Sequence, residues 1–212
     1  MPAALRFRRF AVIYAPLLAA LLVVAGFFLD PAIGESGRAL AREYAAHSGR
    51  EQLSALAFHF AFALLSIPAV AIITSVRERG AGLANVAGFF AFLGMTTLPG
   101  FLLTDFYDIA IYGRLGGDAW QMVNVGLDNM PGAAVMFLTG FLGFLLSLPL
   151  ATLAGWRAGR FPLWLPIAVV VGAIAAQAVP GGYGLLIWAA SLVALSFCLR
   201  SSAVTSAPVE RL

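Results

Sequence analysis

The sequence predicts an all-α fold, a polytopic membrane helix bundle with six transmembrane helices. Three observations predict it: an apolar excess, six apolar runs of spanning length, and a lopsided distribution of arginine. Of the 212 residues, 61% are hydrophobic and 11% charged. A soluble domain carries about 45–50% apolar and about 25% charged residues. A water-soluble fold of this size has no means of burying so much apolar surface. Six spans take up roughly 120 residues and leave roughly 90 for loops and tails. The chain 1–212 therefore reads as a single integral membrane domain.

The first apolar run, Phe10–Leu29, follows Arg6, Arg8 and Arg9 in the manner of a signal peptide. At about 20 residues it exceeds the roughly 7–15 of a signal core, and no small-x-small cleavage motif leads into a soluble domain. It reads as a retained first span. Leu53–Ser75, Leu83–Leu103 and Ala133–Ala154 follow. Leu163–Val179 and Tyr183–Leu199 are the shortest runs, separated by Pro180-Gly181-Gly182, a turn signal. Two full crossings are expected there, with a re-entrant hairpin as the alternative. Runs of about 17–23 residues suffice as helix for a hydrocarbon core of about 30 Å.

Loop charge sets the expected orientation. All 13 basic residues are Arg, which together with the Ala, Gly and Val load suits a GC-rich bacterial genome. The N-terminus, 76–82, 155–162 and the C-terminus hold Arg6, Arg8, Arg9, Arg77, Arg79, Arg157, Arg160, Arg200 and Arg211. The segments 30–52, 104–132 and 180–182 hold only Arg38, Arg42, Arg50 and Arg114. The positive-inside rule then puts both termini in the cytoplasm and the protein in the cell membrane. Asp30, Glu35, Glu43, Glu51, Asp105, Asp108, Asp118 and Asp128 all fall in the second set, so the outer face is acidic.

The two long outer loops are too apolar to stay in water. Segment 36–52 places Leu40, Tyr44 and His47 at helical spacing, and 104–130 carries Phe106, Ile109, Ile111, Tyr112, Trp120, Met122, Val123 and Val125. Short amphipathic helices are expected there, capping the bundle at the interface that Trp and Tyr favour. The chain also hints at an internal duplication. Leu64-Leu65-Ser66-Ile67-Pro68 before Arg77 matches Leu145-Leu146-Ser147-Leu148-Pro149 before Arg157. Gly26-Phe27-Phe28-Leu29-Asp30 ends the first span as Gly100-Phe101-Leu102-Leu103-Thr104-Asp105 ends the third. Two helix–loop–helix hairpins related by parallel duplication are one reading; chance matching of apolar segments is the other.

Chemistry has few carriers. Asp105 and Asp108 stand at i and i+3 if helix continues past the third span, on one face. Two carboxylates that close compete for a proton, the arrangement in which one serves as acid and the other as base. The bland alternative is that both cap the helix and face water. His59 lies inside the second span and should face the bundle or a wet cavity rather than lipid. Either it joins Gln177 and Asp105 in one polar pocket, or it makes an interhelical hydrogen bond worth about 1 kcal/mol. Phe106, Tyr107 and Trp120 are candidate substrate-binding aromatics. Asp128 is a candidate acceptor for Arg114, although turn chemistry before Pro131-Gly132 is the stronger reading. Gly82, Gly88, Gly94 and Gly100 recur through the third span and suggest a central helix closely approached on several sides.

Much is excluded. No phosphate-binding loop, dinucleotide fingerprint, hydrolase elbow or zinc-protease motif occurs. The lone Cys198 reads as a small buried hydrophobe, and with two His residues no metal site and no cofactor are expected. No basic surface suits nucleic acid. Membrane lipid and a lipophilic small molecule are the expected partners. In size and helix number the chain resembles the small membrane-embedded cyclases of isoprenoid chemistry, without a shared motif and so with no residue carried over. That resemblance implies a carboxylic acid that protonates an alkene or epoxide, and aromatics that stabilise the carbocation. The leading expectation is an enzyme on a lipophilic molecule. The alternatives are a small-solute transporter or channel-like subunit, and a non-catalytic membrane partner or sensor.

Overall fold

The computed structural model describes residues 2–202, and every regular element among them is helical. In chain order these are α1 (Ala3–Leu29), α2 (Gly37–Ala46), α3 (Ser48–Leu64), α4 (Ser66–Ser75), α5 (Ala81–Phe101), α6 (Leu103–Leu115), α7 (Gly117–Asp128), α8 (Pro131–Arg157), α9 (Trp164–Ala178) and α10 (Gly184–Ser201). Five stretches are long and apolar enough to cross a membrane: Ala3–Leu29, Ser48–Ser75, Ala81–Leu115, Pro131–Arg157 and Gly184–Ser201. Such a set is that of a polytopic membrane protein. α9 differs. Its 15 residues reach only about 22 Å at 1.5 Å per residue. Arg211, counted in the charge asymmetry, lies outside the described residues.

The first break in the long helices has a covalent cause. Pro68 has no N–H for the Leu64 carbonyl, and α3 gives way to α4 at Leu65. The Ser66 hydroxyl steadies the break by donating to the Ala63 carbonyl at 2.6 Å. Pro99 is carried inside α5, which runs on to Phe101 before α6 restarts after Leu102. Pro16 and Pro149 are carried inside α1 and α8 without a break. The matched segments at Pro68 and Pro149 thus fold differently, although Ser147, like Ser66, donates to the carbonyl three residues back.

Glycine sets the tightest packing. A Cβ on Gly94 would fall on the Phe144 backbone nitrogen, and one on Gly143 on the Gly94 nitrogen, so α5 and α8 meet backbone to backbone. Without water to drive helices together in lipid, such close van der Waals contact is what holds them. Gly94 alone of the glycines in that six-residue series is crowded: Gly82 and Gly100 have open space and Gly88 an ordinary contact. The expectation of close approach on several sides of α5 is corrected to one side. α9 and α10 form a hairpin in which Gly184 abuts the Ala175 carbonyl and Gly172 abuts Ser191. The turn between them uses positive φ at Gly181 and Gly182. α1 is tied to its neighbours by side-chain donors: Ser54 to the Gly26 carbonyl at 3.1 Å and Ser196 to the Ile13 carbonyl at 2.6 Å. Between the helices lies a dry core built around Val23, Leu65, Ile72, Leu165, Val169, Leu192 and Leu195.

The two ends of the bundle differ. At the arginine end Gly80, at φ 95°, makes the α4–α5 turn, and Arg160 donates to the Ser75 carbonyl at 2.6 Å. At the acidic end α2, α6 and α7 lie together. One boundary is corrected here. Residues 48–52 belong to α3, not to the amphipathic loop helix, which ends at Ala46.

Candidate functional site

The acidic end gathers carboxylates from separate parts of the chain. Asp30 follows α1, Glu51 sits in the first turn of α3, and Asp105 and Asp108 lie on α6, the former in its first turn. Tyr44 of α2 is buried among them, within electrostatic reach of Asp30, Glu51, Asp105 and Asp108. Asp105 and Asp108, three residues apart on α6, share a face of that helix.

Each acid is held differently. Asp30 accepts a hydrogen bond from the Ala32 amide at 2.8 Å. Burial pushes its carboxyl above the usual aspartate range, while the Ala32 amide and the Arg50 charge pull the other way. The Tyr44 hydroxyl is pushed up too, first by burial and then by the surrounding carboxylates. Asp108 Oδ1 accepts from the indole N–H of buried Trp120 at 2.7 Å. Asn124, one helical turn beyond Trp120, also interacts with Asp108. Glu51 is only 2% exposed, and its Oε2 is the one buried side-chain oxygen or nitrogen among the described residues with no hydrogen-bond partner. Among the described residues no cation pairs with it: Arg50 is exposed and donates to the Phe28 carbonyl at 3.3 Å.

Below this layer, His59 is half-buried, and its Nδ1 lies 3.1 Å from the Pro99 carbonyl oxygen. A carbonyl only accepts, so Nδ1 carries the proton and a neutral ring has Nε2 free as an acceptor. His59 lines a cleft of about 360 Å³ with Ala55, Leu56, Phe60, Pro99, Leu103 and Phe106. Its walls are otherwise apolar.

A second cavity, of about 190 Å³, lies deeper, between α3, α5, α8, α9 and α10. Phe62, Phe144 and Trp188 form one wall, with ring centroids 4.7, 5.5 and 5.9 Å apart. Gln177 and Ser147 are its polar lining residues.

Set against the sequence, the structure joins some candidates and separates others. It brings Asp105 and Asp108 onto one helix, Trp120 onto Asp108, and Phe106 beside His59. It does not bring His59, Gln177 and Asp105 into one pocket: Gln177 lines the deeper cavity and His59 the cleft. Tyr107 is 56% exposed, facing outward. Arg114 and Asp128 form no ion pair among the described residues; the bridge across the cap is Arg38–Asp118 at 3.0 Å, fully in solvent. Glu51, Asp30 and Tyr44 were not singled out from sequence. Glu51 had one legible signal, the helical register it shares with His59, eight residues further along α3.

Comparison of the chain with family models, with curated proteins and with solved structures finds no match. The class stated by the fold, a polytopic helical membrane protein, therefore rests on the helices themselves.

Proposed function

We propose that the protein is a six-span enzyme of the cell membrane, with both termini cytoplasmic, acting on a lipophilic, isoprenoid- or lipid-like small molecule by carboxylate acid–base chemistry. The observation that carries this reading is Glu51, buried within electrostatic reach of Asp30 and Asp105, with a carboxylate oxygen that has no hydrogen-bond partner among the described residues. A buried polar group without a partner costs about 1–3 kcal/mol. Acids placed so are a common feature of sites that transfer protons.

In this reading the substrate reaches the site sideways from the bilayer, through the cleft at Pro99-Gly100. Its apolar body lies against Leu56, Phe60 and Phe106. His59, pinned by the Pro99 carbonyl, directs Nε2 at the bound molecule. Asp105, adjoining Phe106 in the chain, gives a proton to an alkene carbon or an epoxide oxygen. Asp108, held by Trp120, takes one from the resulting cation, with Glu51 exchanging protons between the two. One proton is given and one is taken, so the product is an isomer of the substrate and no co-reactant is needed. The parallel with the small membrane cyclases is one of architecture and of reaction class alone.

Turnover of polyprenyl and epoxide-bearing lipids by the protein in nanodiscs tests the proposal. Asp105→Asn, Asp108→Asn and Glu51→Gln should each lower turnover at least a hundredfold. Full turnover in all three variants would end the carboxylate mechanism. Buried acids in a bundle whose α3–α4 helix is broken at Pro68 also favour a second reading, proton-coupled passage of a solute. Proteoliposome flux that responds to His59→Ala, with no chemical change in the solute, would select it.

A further inference from the structure

The deeper cavity plays no part in the reaction just proposed, and its residues say what it would hold. The space of about 190 Å³ is partly open at one side, and concave, mostly apolar pockets with a few polar groups are where small molecules bind. A dry engineered cavity of about 150 Å³ accepts benzene, which makes this one the size of a single ring with a small substituent. Phe62, Phe144 and Trp188 offer faces and edges to such a ring. None of the lining residues is ionisable, so a charged guest has no counter-ion.

The wall also carries directional polar groups. Gln177 lines the cavity at its exposed edge and makes no side-chain hydrogen bond among the described residues. Leu145 lines it too, and its carbonyl lacks the usual donor four residues on because that residue is Pro149. An acyl chain would use neither.

We propose that this cavity is a binding site for a compact, uncharged ring compound bearing one hydroxyl or carbonyl group, with Gln177 as its hydrogen-bonding partner. The site stands on residues separate from Glu51, Asp105 and His59, so it survives or fails independently of the acid–base reading.

Fluorine NMR of the protein in nanodiscs provides the test, with 4-fluorophenol and fluorobenzene as probes and empty nanodiscs as reference. A saturable, protein-bound resonance is expected for both probes, with the phenol bound at least tenfold more tightly. Gln177→Leu should abolish that preference while leaving fluorobenzene within about twofold. Ala176→Leu, or Met95→Phe should the former not fold, should remove both resonances by filling the space. Non-saturable partitioning would overturn the proposal. So would equal affinity for the two probes in the wild type, or binding undiminished in the filled variant. A phospholipid chain found in the cavity by native mass spectrometry and not displaced by the phenol would overturn it as well.

Discussion

Along α5 and α8 the two backbones come so close at Gly94 and Gly143 that no side chain fits between them. At the acidic end of the same bundle, a glutamate is buried with an oxygen left unsatisfied. The first region meets every demand of its surroundings, and the second leaves one unmet. A seam of this kind supplies stability. A layer of this kind draws on it, and proteins keep such sites where a group must change its proton or its partner. The difference teaches that the stable half and the chemically interesting half of this chain can be told apart by what a substitution does to the melting temperature.

The largest effect is expected at the seam. Gly94→Val should lower stability by about 3 kcal/mol, since overpacking here must push two backbones apart. The melting transition in detergent measures it, and Gly82→Ala, which enters open space, should shift the same transition by less than about 0.5 kcal/mol. If the two variants behaved alike, the seam would not be what holds the bundle.

Glu51→Leu should act in the opposite sense and raise stability by about 1–3 kcal/mol, because it removes an unsatisfied buried oxygen. The same variant should lose function. A variant both less stable and fully active would reverse the comparison. Trp120→Phe keeps the ring but removes the donor to Asp108. Its cost should be about 1.5–3 kcal/mol by thermal unfolding, the range of a hydrogen bond to a charged group.

Asp30 gives a test by pH. Its carboxyl is raised above the ordinary value of 3.8 in the folded protein. The native state therefore holds a proton that the unfolded chain releases first, and stability falls as pH rises between those two values. Asp30's contribution is full below 3.8 and lost above the raised value. Melting curves from pH 4 upward should be flatter for Asp30→Asn than for the wild type, and equal slopes would show that Asp30 is not perturbed. The smallest effect belongs to Arg38→Ala. Its bridge to Asp118 lies in solvent, where ion pairs contribute little, so the melting temperature should barely move.

Some of this was legible from the chain. The apolar runs mark helices because backbone groups in lipid must be satisfied within the segment, and each run has its helix. Pro68 marks a break because its missing N–H is a local fact. The cap helices were readable from the spacing of Leu40, Tyr44 and Trp120. The site was legible only in part. Asp105 and Asp108 were visible as a pair, and His59 as an odd residue in an apolar run. Glu51 was hidden because a loop acid and a buried helical acid look alike until the neighbours of α3 are known. Gln177 was assigned to the wrong neighbours, since depth along a helix does not say which way the helix faces.

By itself, the sequence determined that this chain is a membrane bundle of helices, that one of them breaks at Pro68, and that its arginines and acids separate to opposite ends. Hydropathy, proline and charge are properties of segments, and segments can be read singly. Only the tertiary structure decided that Gly94, alone of its series, is crowded by a neighbouring backbone, that Glu51 lies near Asp30 and Asp105 with no paired cation among the described residues, and that His59 and Gln177 serve different cavities. Those are relations between helices, set by how each rotates about its axis to pack against the next, and the apolar surface of a membrane helix leaves little in its own residues to fix that rotation.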